Sequence, residues 1–515
     1  MYLTQGLHRA VQQTPEATMT VFGGRTRTVA EVADRVARLA GALRESGVGD
    51  GDRVAMLALN SDRYHEYLLA VPWANAVLNP VNTRWSGAEI GYSLVDSGTE
   101  VLLVDDTFAA LLPVLRAACP RLTTVIHAGD GPTPAGALSY EDLITAAAPV
   151  ADARRGGDEA AGVFYTGGTT GFPKGVVLSH ANMLTSALGA TATGYVFRPG
   201  ARLLHTAPMF HLADLAAWAA VMALGGTHVI LPSFDPAAVP AAVERHRITD
   251  VLLVPTMIQL VVDHPRMAEH DLSSLASVVY GASSIPQAVL ERAMKALPTA
   301  SFTQAYGMTE LAPIATLLSP EDHHDPALLR SAGRAAPHVE VRVVDAEGVE
   351  RPRGAVGEIV VRGGNVMLGY WDKPAETAAA LREGWMHTGD AGYLDEAGYL
   401  FVVDRIKDMI VTGGENVYSA EVENALARHP AVATCAVIAV PDTEWGERVH
   451  AVVVLVDGGH ATADELREHC KQHIAGYKSP RSVTFVDALP VSGAGKILKR
   501  ELRRTHHDAP ASTAR

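Results

Sequence analysis

Apolar residues recur at three- and four-residue spacing through TVAEVADRVARLAGALRESG, residues 28–47, which predicts an amphipathic helix. DRVAMLAL, residues 52–59, follows as an apolar run short enough for a buried strand. The succession repeats: YHEYLLAVPWANAV reads as helix, VLLVDD (residues 101–106) as strand and LLPVLRAAC as helix. GTHVILP, DVLLVPT (residues 250–256) and SVVYGA (residues 277–282) add strand-like runs. Continuous Val/Ile/Leu runs between amphipathic helices predict parallel sheets covered on both faces. The expected class is α/β, with doubly wound sheets in a large N-terminal domain.

After Pro337 the pattern changes. HVEVRVVDAEG (residues 338–348) and VGEIVVRGG (residues 356–364) alternate in period two, as half-exposed antiparallel strands do, so an antiparallel subdomain is expected. Beyond YLFVVDRIKD the chain reads as a small α+β unit, with helix over 419–428, strands over 433–440 and 448–456, and helix over 462–473. The boundary is placed near Asp404, giving domains 1–403 and 404–515. The polar tail THHDAPASTAR is expected to fray.

A chain of 515 residues exceeds what one hydrophobic core usually organises, in keeping with two domains. With 48% hydrophobic and 19% charged residues it reads as an ordinary globular enzyme. A formal net charge of −14 argues against nucleic acid as a partner, but not against a local pocket for a phosphate. Cys119, Cys435 and Cys470 lie far apart without a C-x-x-C pair, so neither a disulfide framework nor a zinc site is expected and the reducing cytoplasm is the default. The N-terminus lacks an apolar signal core. The best apolar stretch, residues 215–226, is too short to span a bilayer and reads as a buried helix.

The densest chemistry lies in FYTGGTTGFPKGVVLSH, residues 164–180. An apolar run enters a loop with four glycines, three threonines and a lysine. Glycines let backbone amides face an anion without Cβ interference, while hydroxyls and an ammonium contact its oxygens. Thr166, Gly167, Gly168, Thr169, Thr170, Gly171 and Lys174 are therefore candidate phosphate ligands. It is not a Walker loop, because Lys174 follows a proline and no Ser/Thr comes after it.

YTGGTTGFPKG resembles the phosphate-loop signature of the adenylate-forming (AMP-dependent) superfamily, which includes acyl-CoA synthetases, peptide-synthetase adenylation domains and luciferases. Further motifs follow in that family's order: APMFHLA (207–213), QAYGMTE (304–310), WMHTGD (385–390), DRIKDMIVTGGENVYSAEVE (404–423) and PVSGAGKILKREL (490–502). The resemblance covers the chain from about residue 28 to 502 and implies an acid–CoA ligase. A carboxylate and ATP would give an acyl-adenylate and pyrophosphate, and CoA would then take the acyl group and release AMP.

The resemblance assigns residues to these steps. Thr309 and Glu310 fall beside the triphosphate; a carboxylate there serves best as a Mg²⁺ ligand, with Thr170 as its partner. Gly281, Ala282, Ser283, Ala305, Tyr306 and Gly307 would line the nucleotide, Tyr306 offering a flat face to the adenine. Asp390, expected at a tight turn, would accept the ribose hydroxyl protons, with Arg405 as a second contact. Lys496 would place a cation where carboxylate oxygen meets the α-phosphorus; one lost donor at such a place costs about 2.7–4 kcal/mol. Asp404 would be the hinge of a mobile C-terminal domain, whose rotation exchanges Lys496 for a Gly413–Gly414 face. Lys407, Gly413, Gly414 and His211 would receive CoA, with His211 gating the acid pocket. Similar enzymes are commonly homodimers.

The acid pocket reads as neutral. His211 stands where amino-acid adenylation domains carry an acidic residue, and no arginine near QAYGMTE waits for a second carboxylate. His211, Leu212, Ala213, Met257, Gly281, Ala282 and Ala305 suit a fatty, cyclic aliphatic or aryl acid. One departure is Gly167, where the family usually has serine. It leaves open an enzyme that adenylates weakly and mainly transfers a preformed acyl-adenylate. A third reading is a catalytically inactive nucleotide-binding scaffold, against which Lys174, Glu310, Asp390, Arg405 and Lys496 stand together.

Overall fold

The structure, a computed structural model, describes residues 1–166, 173–283, 285–413, 415–491 and 497–506, without the side chain of residue 416. The chain divides into two compact units, Met1–Val341 with Val361–Met386, and Arg342–Val360 with His387–Arg515.

The first unit is α/β, as the apolar periodicity predicts. The helix expected over 28–47 forms as Val29–Glu45. It starts there because Thr28 and Glu31 make a reciprocal capping box, Thr28 N–H donating to the Glu31 carboxylate at 2.7 Å and Glu31 N–H to Thr28 Oγ1 at 3.2 Å. The stretch read as a buried helix forms Leu212–Leu224 and ends at Gly225 in the left-handed conformation. It is apolar on every side but for Asp214, which bonds His205, and ten of its residues are buried.

Two sheets organise this unit. In the eight-stranded one, Arg53–Leu57, Val77–Pro80, Val101–Val104 and Thr124–His127 run parallel, and Ala160–Thr166 joins beside Val77–Pro80. In the nine-stranded one, Thr227–Ile230, Arg202–His205, Asp250–Leu253, Ser277–Gly281 and Ser301–Gly307 are successive parallel neighbours. DVLLVPT is strand only to Leu253, since Pro255 opens the helix Pro255–Val262, where a missing N–H costs nothing. Local periodicity did not indicate the hairpin Thr18–Phe22 and Arg25–Thr28, which adds to the nine-stranded sheet beside Thr227–Ile230.

The alternating segment after Pro337 forms strands Val339–Val344 and Gly357–Gly363 in a five-stranded sheet. That sheet contains the antiparallel pairs of Trp385–Leu394 with Leu381–Arg382 and with Leu400–Arg405. The C-terminal α+β reading holds in detail. Val432–Asp442 and Gly446–Leu455 form a long hairpin, and Ser482–Phe485 lies parallel to the second strand. Helices Ser419–Leu426 and Ala463–Lys471 contribute Val422, Leu426, Leu466 and Cys470 to one core with Val437 and Val449.

Candidate active site

The order of strands in the nine-stranded sheet gathers the candidate residues of the first unit. APMFHLA, Met257, Gly281 and Ala305 all lie at or just beyond the carboxyl ends of four adjacent parallel strands, where open α/β sheets bind ligands. Gly281 and Ala305 are register partners. A Cβ on Gly281 would stand 2.1 Å from the Ala305 carbonyl oxygen, so only glycine permits this approach. The next residue, Ala282, sits at φ +67°, a left-handed conformation that costs an alanine about 1–2 kcal/mol. Ser283 beyond it is exposed. Strained backbone of this kind clusters at ligand-binding and catalytic loops.

His211 caps the helix Leu212–Leu224, its Nδ1 accepting from Ala213 N–H at 3.3 Å. Leu212 and Met257 are buried. Asn60 holds the APMFHLA turn from outside: its Oδ1 accepts from Met209 N–H at 2.7 Å and its Nδ2 donates to the Ala207 carbonyl at 2.9 Å.

Thr166 and Lys174 face each other across the antiparallel pair Ala160–Thr166 and Lys174–Ser179, which fixes both ends of the Gly/Thr loop. Gly167, Gly168, Thr169, Thr170 and Gly171 themselves lie outside the described residues. The Lys174 ammonium stands 5.0 Å from the centre of the Tyr370 ring, and the Tyr370 hydroxyl donates to Glu310 Oε1 at 2.8 Å. Tyr370 is held by backbone pairing with Val176 and by its N–H to Thr377 Oγ1 at 2.9 Å. Glu310 lies in the short 3-10 turn Thr309–Leu311, and its carbonyl accepts from Met367 N–H at 2.9 Å. At 6% exposure a carboxylate needs polar company, and Tyr370 provides it. Tyr306 and Gly307 end the preceding strand, half-buried.

Asp96 braces this region from behind. It accepts from the Tyr165 hydroxyl at 2.7 Å and Lys373 at 3.3 Å, while its carbonyl accepts from Trp371 Nε1 at 3.0 Å. Burial, and then the Asp96 bond, push the Tyr165 phenol well above its usual range, so it stays a donor.

In the second unit Asp390 and Arg405 are register partners, with Arg405 Nε 3.0 Å from Asp390 Oδ1. Asp390 was expected at a tight turn; it lies instead within the strand Trp385–Leu394. Gly389, at φ +69°, carries the turn-like conformation, but Thr388 Oγ1 bonds to the Ile359 carbonyl at 2.7 Å and the pairing with Arg405 keeps the strand going. Asp404 is buried and accepts from both the N–H and the hydroxyl of Ser419, the latter at 2.6 Å. Desolvation of its ammonium, and then the Arg405 cation, push Lys407 down to about 8; the side chain as a whole stays exposed, so water tempers that shift. Gly413 has φ +61°, and a Cβ there would meet the Trp445 indole at 2.7 Å. Gly414 and Lys496 lie outside the described residues.

The AMP-binding enzyme family matches residues 7–371, and the AMP-binding enzyme C-terminal domain matches residues 421–496. The chain belongs to the AMP-binding enzyme family, in its adenylate-forming acyl-CoA ligase branch. A feruloyl-CoA synthase of Amycolatopsis is 43% identical to this ligase over 497 residues, covering 96% of this chain and 97% of that one. An indoleacetate–CoA ligase of Aromatoleum aromaticum is 37% identical over 508 residues, covering 98% of each. Among solved structures, the amide bond synthetase McbA of Marinactinospora thermotolerans is 33% identical, with a TM-score of 0.87 over 98% of this ligase and 99% of McbA.

The residues of the ligase suit Mg²⁺ brought in with a nucleotide. Among the described residues no cluster of three or more His, Cys, Asp or Glu could cage a metal, and Mg²⁺ in nucleotide sites needs only one or two carboxylates beside the phosphates. The buried, hydroxyl-braced Glu310 has the chemistry such a carboxylate needs. Among the described residues, no helix of the ligase is long and apolar enough to cross a membrane.

Tyr370, Asp96 and Asn60 were not singled out from sequence. Tyr370 stands in the aromatic pair of MLGYW, a signal that could have drawn attention to it. Asp96 and Asn60 carry no local signal, because their partners lie far along the chain.

Proposed function

We propose that the ligase activates a neutral aryl, cyclic aliphatic or fatty carboxylic acid. One carboxylate oxygen attacks the α-phosphorus of ATP and pyrophosphate leaves; the CoA thiol then attacks the acyl carbon and AMP leaves. The convergence of Lys174, Tyr370 and Glu310 beside the strand end that carries Thr166 supports this most directly. A cation and a braced carboxylate side by side suit a Mg²⁺-bound polyphosphate, which needs both.

In this proposal Thr166, Gly167, Gly168, Thr169, Thr170, Gly171 and Lys174 cradle the phosphates. Glu310 and Thr170 hold Mg²⁺, which would offset phosphate charge when bound. Gly281, Ala282, Ser283, Ala305, Tyr306, Gly307 and Thr309 line the nucleotide, and Asp390 with Arg405 take the ribose. Lys496 supplies the cation at the forming bond. His211, Leu212, Met257, Gly281 and Ala305 border the acid, and His211, Lys407, Gly413 and Gly414 serve CoA. Asp404 is the hinge between domains 1–403 and 404–515. Relatives named for feruloyl and indoleacetate substrates favour an aryl acid. A homodimer in the cytoplasm completes the proposal, with light scattering on the purified chain as the test of assembly.

A panel of carboxylic acids, scored for pyrophosphate release without CoA and for thioester with CoA, tests the reading. Robust release with the preferred acid supports full two-step ligation. Thioester formation from supplied acyl-adenylate, without pyrophosphate release from any acid, would instead identify an enzyme limited to transfer.

A further inference from the structure

Five buried side chains join around the first two turns of the helix Leu212–Leu224. His205 Nδ1 donates to Asp214 Oδ2 at 2.7 Å, and His205 Nε2 lies 2.9 Å from His228 Nδ1. The His228 ring stands 4.7 Å from that of His65, whose Nδ1 accepts from Trp218 Nε1 at 3.0 Å. Trp218 follows Asp214 by one helical turn, so both leave the same face of that helix and the circuit closes. It ties the helix to the strands Arg202–His205 and Thr227–Ile230 and to the helix Asp62–Trp73. All five side chains are at most 2% exposed.

Chemistry fixes the ring orientations from both ends. A carboxylate only accepts, so His205 carries a proton on Nδ1; an indole N–H only donates, so neutral His65 accepts at Nδ1 and holds its proton on Nε2. His65 Nε2 and His228 Nε2 have no hydrogen-bond partner among the described residues. Apolar side chains would fill the same space without unpaired nitrogens, so what the circuit adds is orientation rather than stability. The oriented part is segment 206–213, which leaves the strand after His205 and is closed at its base by the bond to Asp214, nine residues on. Asn60 grips the same segment at Ala207 and Met209. Leu204 aligns with Val251 and Val251 with Val278, which puts His205 level with Val279, two residues short of Gly281. Alternation places all three on one face of the sheet, so the circuit lies one pleat beneath the strand ends proposed to border the acid.

We infer that Asp214 and His205 are positioning residues for the acid: their bond, backed by the circuit, fixes segment 206–213 over the strand ends and so sets the width of the acid pocket. This rests on the proposed role of His211 and Leu212 as pocket wall. Lys174 and Glu310, proposed to serve the phosphates, are held by a separate set of contacts through Tyr370. Loss of the Asp214 bond therefore changes which acids fit and spares the recognition of ATP.

The test measures pyrophosphate release without CoA, first over a panel of acids at saturating ATP and then over ATP at saturating acid. Asp214→Ala is expected to raise KM for the preferred acid about tenfold, to leave KM for ATP within about twofold, and to shrink the kcat/KM preference over a bulkier acid about fivefold. Asp214→Asn keeps an acceptor for His205 Nδ1 and is expected to restore most of that preference. His205→Ala added to Asp214→Ala is expected to cost little more, since both remove one bond. Trp218→Phe keeps an aromatic ring and breaks only the bond to His65; it decides the matter where Asp214→Ala does not fold, with an expected rise of about two- to threefold in KM for the acid alone. Equal rises in KM for acid and ATP, or an unchanged order and spread among the acids, would overturn the inference. Leu212→Phe runs alongside. If it leaves the preference among acids unchanged, the reading of Leu212 as pocket wall fails and takes this inference with it. If it reorders the acids while the Asp214 and Trp218 variants do not, the inference alone fails.

Discussion

The Tyr370 hydroxyl donates to Glu310 Oε1 at 2.8 Å, and the ring of that tyrosine lies under the Lys174 ammonium at 5.0 Å. One side chain thus touches an ammonium at a strand start and a carboxylate in a 3-10 turn, more than a hundred residues apart in the chain. Tyr370→Phe removes the hydroxyl that bonds Glu310 and keeps the ring. A hydrogen bond to a charged group contributes about 1.5–3 kcal/mol, so the Mg²⁺ needed for half-maximal pyrophosphate release is expected to rise roughly tenfold or more. Tyr370→Leu also removes the ring, with a further loss of about 0.5–2 kcal/mol at Lys174. Calorimetric binding of Mg²⁺ with a non-hydrolysable ATP analogue checks the order parent, Phe, Leu; identical binding by all three would refute it.

Gly281→Ala is expected to force the ends of the strands Ser277–Gly281 and Ser301–Gly307 apart, because the new methyl meets the Ala305 carbonyl. Overpacking of this kind costs about 1–3 kcal/mol, and adenylate formation is expected to drop with stability. Ala282→Gly at φ +67° is different. Relief of about 1–2 kcal/mol of strain outweighs the about 0.4–1 kcal/mol of extra unfolded-state freedom, so thermal unfolding is expected to shift slightly upward. A clear drop would contradict that balance.

Asp390→Asn is expected to raise KM for ATP and to narrow the preference for ATP over its 3′-deoxy analogue. The ratio of kcat/KM for the two nucleotides measures this directly. An unchanged ratio would mean that the carboxylate paired with Arg405 does not read the ribose.

Burial holds His65 and His180 down near 3 and lowers His228 well below the usual histidine value. In each the folded state refuses a proton that the unfolded chain accepts below about 6.5. Stability is therefore expected to be complete above that pH and to fall between about 6.5 and 3, by up to about 1.4 kcal/mol per pH unit for each histidine. Thermal unfolding across pH 4.5–7.5 shows the slope, and His180→Gln is expected to flatten it. A midpoint independent of pH down to 4.5 would remove the histidines from the account.

The sequence reading succeeded where the cause is local. Thr28 and Glu31 set a helix start from three residues apart, and Gly225 ends the helix Leu212–Leu224 from the adjoining position. APMFHLA, Gly281 and Ala305 stood out because each motif keeps its glycines and polar groups in one short string, and all three fall at the carboxyl ends of adjacent parallel strands. Long-range pairing was not legible. Nothing in residues 18–28 specifies Thr227–Ile230 as the neighbour, and Asp390 resembles a turn residue until Arg405 is seen opposite it. The link from Asp404 through Ser419 to Lys499 spans separations of 15 and 80 residues, which no periodicity encodes.

The central claim is that a carboxylate oxygen becomes bonded to the α-phosphorus of ATP. A carboxylic acid labelled with heavy oxygen at both carboxylate positions, incubated with ATP and CoA, tests it by mass spectrometry of the nucleotide product. The account predicts AMP carrying one labelled oxygen, with the other retained in the thioester carbonyl. Unlabelled AMP, or ADP in its place, would contradict it.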